Sequence, residues 1–180
     1  WAGIAIAVLG AFALAWMAPV DPVSSFLATN RKAPGVIQTA SGLQYEILSP
    51  GKGGATPTDT DVTLVNYEGK LLDGTTFDKS QQPTPLPVKN VVPGFAEALK
   101  LMPRGSKYRF WVKPSLGYGE KAAGPTIPAH SVLVFEVELV DFKSEAEIRQ
   151  LQMQQQMMQQ QGGAGGGGVP PGAGGLPPGQ

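Results

Sequence analysis

The chain has 180 residues, with 14 basic and 14 acidic side chains, one His and no Cys. That length suits one domain of ordinary size plus appendages, and a formal net charge of +0 leaves no electrostatic footprint for nucleic acid. With no Cys and a lone His130, a disulfide scaffold, a zinc cluster and a Cys- or His-dependent triad lack their parts.

Residues 1–18 contain no charged side chain. A helix of about 18 apolar residues just spans a bilayer core of about 30 Å, and Pro19 and Pro22 stop it. The reading is a single N-terminal transmembrane anchor. Its rival is a cleaved signal peptide: Ala13, Ala15 and Ala18 supply small residues, but Pro19 obstructs cleavage directly after Ala18. The chain opens on Trp1 rather than Met, so the natural N-terminus, with the basic flank that sets topology, is expected upstream. Residues 19–40 read as a linker.

Residues 41–143 carry the signal of an antiparallel domain. Leu133, Phe135, Val137 and Leu139 alternate with Val134, Glu136, Glu138 and Val140, which predicts a strand with one face buried. Tyr108, Phe110 and Val112 alternate in the same way with Lys107, Arg109, Trp111 and Lys113, and Thr63, Val65 and Tyr67 form a third face. Pro93-Gly94 opens one short helix, striped by Phe95, Leu99 and Met102 and closed by Pro103 and Gly105. Strands embracing one short amphipathic helix make an α+β arrangement.

Within this domain the glycines of SPGKGG (residues 49–54) lack the Lys-Ser/Thr ending of a phosphate loop and read as a turn. Asp59 and Asp61 lack the Gly and Glu that would complete a calcium loop. No pair of carboxylates stands out, and neither a metal site nor a cofactor is expected.

Ser144 and Glu147 form a capping box for a Gln/Met-rich helix over residues 144–161, built of good helix formers. Residues 162–180 are almost wholly Gly, Pro and Ala and are expected to be disordered, because they bury too little to offset ordering entropy.

The segments VNYEGKLLDGTTFDKS (65–80), VVPGFAEALKLMPRGSKYRFWV (91–112) and KPSLGYGEKAAGPTIPAHSVLVFEVEL (113–139) follow one another in a specific order and spacing. Together they resemble the FKBP-type peptidyl-prolyl cis-trans isomerases, particularly the bacterial group related to macrophage infectivity potentiator. The resemblance covers about 100 residues. It implies a twisted antiparallel half-barrel wrapped around a short helix, and an enzyme that rotates Xaa-Pro bonds in exported proteins. It places Asp78, Tyr118 and Tyr67 as catalytic groups. Phe77, Leu86, Val91, Val92, Phe95, Ile127 and Phe135 are placed as the walls of a hydrophobic substrate pocket. Partners implied are proline-containing polypeptides and the family's macrolide inhibitors, with the membrane engaged through the N-terminal helix. The setting implied is a bacterial inner membrane, with the domain facing the periplasm. The alternative is a catalytically weak holdase that grips proline-containing chains.

Three departures from the family pattern stand out. No Arg follows Asp78 within a few residues to pair with it, Phe95 stands where many members have Trp, and Gly119–Ile127 carries Glu120, Lys121 and Ala123 in place of bulky apolar residues. If Asp78 were a buried carboxylate, the missing Arg would leave it short of a partner.

Overall fold

The computed structural model describes residues 20–162. The first of these already depart from the expected linker. Helix α1 (Pro22–Asn30) starts where Asp21 accepts from the backbone N–H of Val23 and Ser24 at 3.3 and 2.9 Å, with Pro22 in the first turn. Strand β1 (Val36–Gln38) then joins the sheet, pairing with β2 (Gln44–Ser49). The 19–40 segment is therefore corrected: it contributes a helix and an edge strand. The membrane span expected at 1–18 lies outside the described residues, as do residues 163–180 of the expected tail. Among the described residues no helix is long and apolar enough to cross a membrane.

The remaining strands are β3 (Asp61–Leu71), β4 (Thr76–Lys79), β5 (Thr84–Pro87), β6 (Lys107–Val112) and β7 (Leu133–Ser144). They form one antiparallel sheet in the order β1-β2-β6-β7-β3-β4, with β5 paired, among the described residues, only to β3. Helix α2 (Pro93–Lys100) packs into its concave face. The alternation predicted for β7 holds: Leu133, Phe135, Val137 and Leu139 are buried, beside Tyr108, Phe110 and Val112 of β6. Phe95, Leu99 and Met102 meet them as the helix stripe, and all three are 4% exposed or less.

Trp111 corrects the two-face reading of β6. It shares a register row with Gln44 and Val134 on the convex face, yet is only 8% exposed. Helix α1 is tied to that row: the Gln44 amide donates to the Leu27 carbonyl at 2.8 Å and accepts from Asn30 at 2.9 Å. The convex face is thus covered at this row. One row further along it is charged, with Arg109 bonded to Glu46 and Glu136.

Gly51 makes the turn in SPGKGG: its φ is +69°, and a Cβ would sit 2.5 Å from the Ser106 amide nitrogen. Asp61 is occupied locally, accepting from the Thr58 N–H and hydroxyl, while Asp59 pairs with Lys100 at 2.8 Å. Helix α3 (Glu145–Gly162) continues directly from β7. Glu147 accepts from the Ser144 N–H at 2.7 Å and donates its own N–H to the Ser144 hydroxyl at 3.2 Å, a reciprocal cap.

Candidate functional site

At the concave end of the sheet β3, β5, α2 and β7 converge on a cavity of about 300 Å³, lined by Tyr67, Asp78, Leu86, Asn90, Val91, Val92, Phe95, Tyr118 and Phe135. The walls are an aromatic cluster. Phe95 and Phe135 meet edge-on with centroids 4.8 Å apart, Tyr67 packs against Phe95 at 6.1 Å, and Phe77 stands behind Phe135 at 5.5 Å and 88°.

Two predicted residues do not line the cavity. Phe77 supports it through Phe135, and Ile127, 7% exposed, anchors the base of the loop after Tyr118, accepting at its carbonyl from the Ala123 N–H at 2.9 Å. The other eight surround it. Asn90 joins them unforeseen, because an exposed amide after a Lys carries no pattern of its own.

Gly69 was also unforeseen. A Cβ there would lie 2.6 Å from Phe77 Cζ and 2.9 Å from Phe135 Cε1, so the edge-on pair of rings requires glycine at the strand position opposite Phe135. The available signal was a glycine inside an otherwise regular strand.

The polar groups are few. The Tyr67 hydroxyl donates to Asp78 Oδ2 at 2.8 Å, and the second carboxylate oxygen accepts from the Lys79 N–H at 2.9 Å. Burial, and then the bond to Asp78, push the Tyr67 hydroxyl up to about 12, so it stays protonated and donating at any working pH. Asp78 itself is exposed, which corrects the premise of a buried carboxylate. That exposure leaves its remaining lone pairs open to solvent, so the absent Arg incurs no desolvation cost.

Val92 caps α2: its carbonyl accepts from Phe95 and Ala96, while its N–H has no partner among the described residues. The Tyr118 hydroxyl is likewise unpaired among them, and the side chain is 48% exposed at the rim. The 3₁₀ turn Pro114–Leu116 and Gly117 present Tyr118 there. An apolar cavity whose lining residues Val92 and Tyr118 each carry a donor without a partner among the described residues suits an amide held by its carbonyls and stripped of water.

Comparisons with known proteins fit this geometry. The family model described as FKBP-type peptidyl-prolyl cis-trans isomerase matches residues 53–140, and one described as the domain amino terminal to FKBP-type peptidyl-prolyl isomerase matches residues 22–47. The chain is 49% identical over 119 residues to the FKBP-type 22 kDa peptidyl-prolyl cis-trans isomerase of Escherichia coli, covering 64% of this chain and 57% of that one. It is 40% identical over 125 residues to the Outer membrane protein MIP of Legionella longbeachae, covering 68% and 53%. The chain thus spans about half the length of the curated relatives it matches. Among solved structures, a peptidyl-prolyl cis-trans isomerase of Pseudomonas syringae superposes with a TM-score of 0.65 at 35% identity, covering 68% of this chain and 91% of that one. FkpA from Escherichia coli gives 0.64 at 38%, covering 68% and 58%.

Proposed function

The chain belongs to the FKBP-type peptidyl-prolyl cis-trans isomerase family, and from that premise we propose that its aromatic cavity accelerates rotation about Xaa-Pro bonds in polypeptides. The amide resists rotation by about 18–20 kcal/mol because resonance keeps it planar. Uncatalysed exchange takes tens to hundreds of seconds. No bond is broken, so the site needs neither nucleophile nor general acid.

The prolyl ring rests on the floor formed by Phe95 and Phe135, with Val91, Val92 and Leu86 at its sides. The planar amide is the more charge-separated form, and exclusion of water by these walls disfavours it relative to the twisted one. The Val92 N–H and the Tyr118 hydroxyl hold flanking substrate carbonyls. Tyr67 fixes Asp78 beside the turning amide, so that complementarity favours the twisted geometry. The carrying observation is that Val92, whose N–H has no partner among the described residues, lines the same cavity as the aromatic rings of Phe95 and Phe135. The family's macrolides would occupy the same walls.

The apolar run at 1–18 supports a further reading: the chain is held at a bacterial inner membrane, with the isomerase domain on the periplasmic side, where it acts on exported chains. Retention in the pellet after alkaline carbonate washing is the expected outcome, and release into the soluble fraction overturns it.

The test of activity is exchange between cis and trans signals of an Ala-Pro peptide, followed by NMR with the full chain at catalytic concentration. Exchange broadening above buffer is expected. Binding of the peptide without any acceleration would leave the holdase reading in its place.

A further inference from the structure

Helix α3 has no part in the cavity, yet it is built onto the back of one wall. Leu86 of β5 pairs with Thr63 and faces the cavity; its neighbour Pro85 pairs with Leu64 and faces the opposite side of the sheet. There Ile148, one turn into α3, lines a groove of about 160 Å³ together with Val62, Leu64, Pro85 and Phe142. One residue before the cavity's Asn90, Lys89 Nζ pairs with Glu145 at 2.5 Å, and the Glu145 N–H donates to the Thr60 carbonyl at 3.2 Å.

The wall needs such backing. Strand β5 has four residues, pairs with one neighbour, and offers only Thr84 and Leu86 as ladder donors because Pro85 and Pro87 have no N–H. The Thr63 hydroxyl adds one bond, donating to the Leu86 carbonyl at 2.8 Å. A strand held on one side by so few bonds is free to shift unless side chains fix its other face.

We infer that Ile148, assisted by the Lys89–Glu145 pair, is a positioning residue for substrate binding: it sets the Leu86–Asn90 wall from behind. The kinetic part rests on the isomerase reading; the structural part does not. The pair alone is worth little because both side chains are substantially exposed. Ile148 carries the larger share, because its half-buried side chain lines the same groove as Val62, Leu64 and Pro85 of β3 and β5.

The test compares the full chain as wild type, Ile148→Ala, Ile148→Leu, Lys89→Ala and Met157→Ala, the last on an exposed position of the same helix. Two quantities are read: KM and kcat on an Ala-Pro peptide, and the amide NMR shifts of Leu86 and Asn90. Ile148→Ala is expected to raise KM about three- to tenfold with kcat within about twofold, and to move both amide signals. Ile148→Leu restores both, Lys89→Ala moves them slightly in the same direction, and Met157→Ala matches wild type. If Ile148→Ala does not fold, Lys89→Ala carries the test. Wild-type KM and unmoved Leu86 and Asn90 signals in the folded variants overturn the inference. If wild type itself gives no acceleration, the isomerase reading falls, while the amide shifts and the peptide Kd still decide whether α3 sets the wall.

Discussion

Replacing Asp78 with Ala takes away the acceptor of the Tyr67 hydroxyl while removing little volume and no buried surface. A group acting on the twisted amide alone leaves a distinct kinetic signature when lost. Asp78→Ala is expected to lower kcat/KM by about tenfold with peptide Kd within about threefold of wild type; equal exchange rates would remove Asp78 from the mechanism. Phe135→Ala differs in kind, because Phe135 is both pocket floor and core, touching Phe95 and Phe77. It should cost about 3–5 kcal/mol of stability, read by urea unfolding, and weaken binding and turnover together. Tyr67 makes a prediction in pH. Its folded value, pushed up to about 12, lies above the ordinary 10.0, so the unfolded chain loses this proton first. The associated stability is whole below pH 10 and is lost as pH rises through about 12. Unfolding curves of Tyr67→Phe should lack that component, and an unchanged alkaline profile would contradict the assignment. The place of Asp78 at the cavity beside Tyr67 was legible through the family resemblance carried by YEG…FDKS, but its exposure was not, because burial depends on what β4 leaves uncovered.

Among the elements, α1 was the one least visible in advance. It has nine residues and buries none of them, so no apolar stripe announces it; Asp21-Pro22, a cap followed by a first-turn proline, was the local mark it carried. Trp111 shows the same blind spot from the other side. Alternation along β6 separates two faces but does not say what lies over each. The tie between α1 and Gln44 can be tested directly. Gln44, 1% exposed, serves Leu27, Asn30 and Gln38 at once. Gln44→Leu leaves those groups short of partners and is expected to destabilise the fold by about 1–3 kcal/mol. Trp111 emission should shift to the red as its cover loosens. Wild-type emission with wild-type stability would show that α1 does not depend on this contact. The long alternating strand β7, the inner face of β6, the α2 stripe and the Ser144–Glu147 box were all readable, because each is a local rule obeyed without tertiary correction.

At the scale of the molecule, zero net charge conceals a directed set of carboxylates. Asp141 is held low by the Arg104 guanidinium 2.7 Å away, which also lies 3.7 Å over the Phe142 ring. Lys70 lowers Glu68, Lys89 lowers Glu145, and the Ser144 cap lowers Glu147, each below the ordinary 4.5. Folded values below unfolded ones mean that this stability is present above about pH 4.5 and is lost as pH falls through the folded values. The melting temperature should therefore fall between pH 5 and 3, about as Glu and Asp titrate, and less steeply in high salt. A flat acid profile would show that these pairs contribute nothing net. Glu145 and Glu147 place part of that acid sensitivity in α3, so backing of the cavity wall should weaken in the same range.

The two prolines of β5 have a consequence for the protein's dealings with unfolded chains. An unfolded client of the proposed activity would arrive extended, with backbone amides paired only to water, and an extended chain is also what a sheet border recruits as its next strand. Thr84 and Leu86 spend their N–H groups inward on β3, so positions 85 and 87 meet any newcomer with pyrrolidine rings. The border beside the cavity is therefore a poor template. On the proposed isomerase reading, a sticky, unfinished polypeptide held beside this sheet would be turned and released without seeding a fibre.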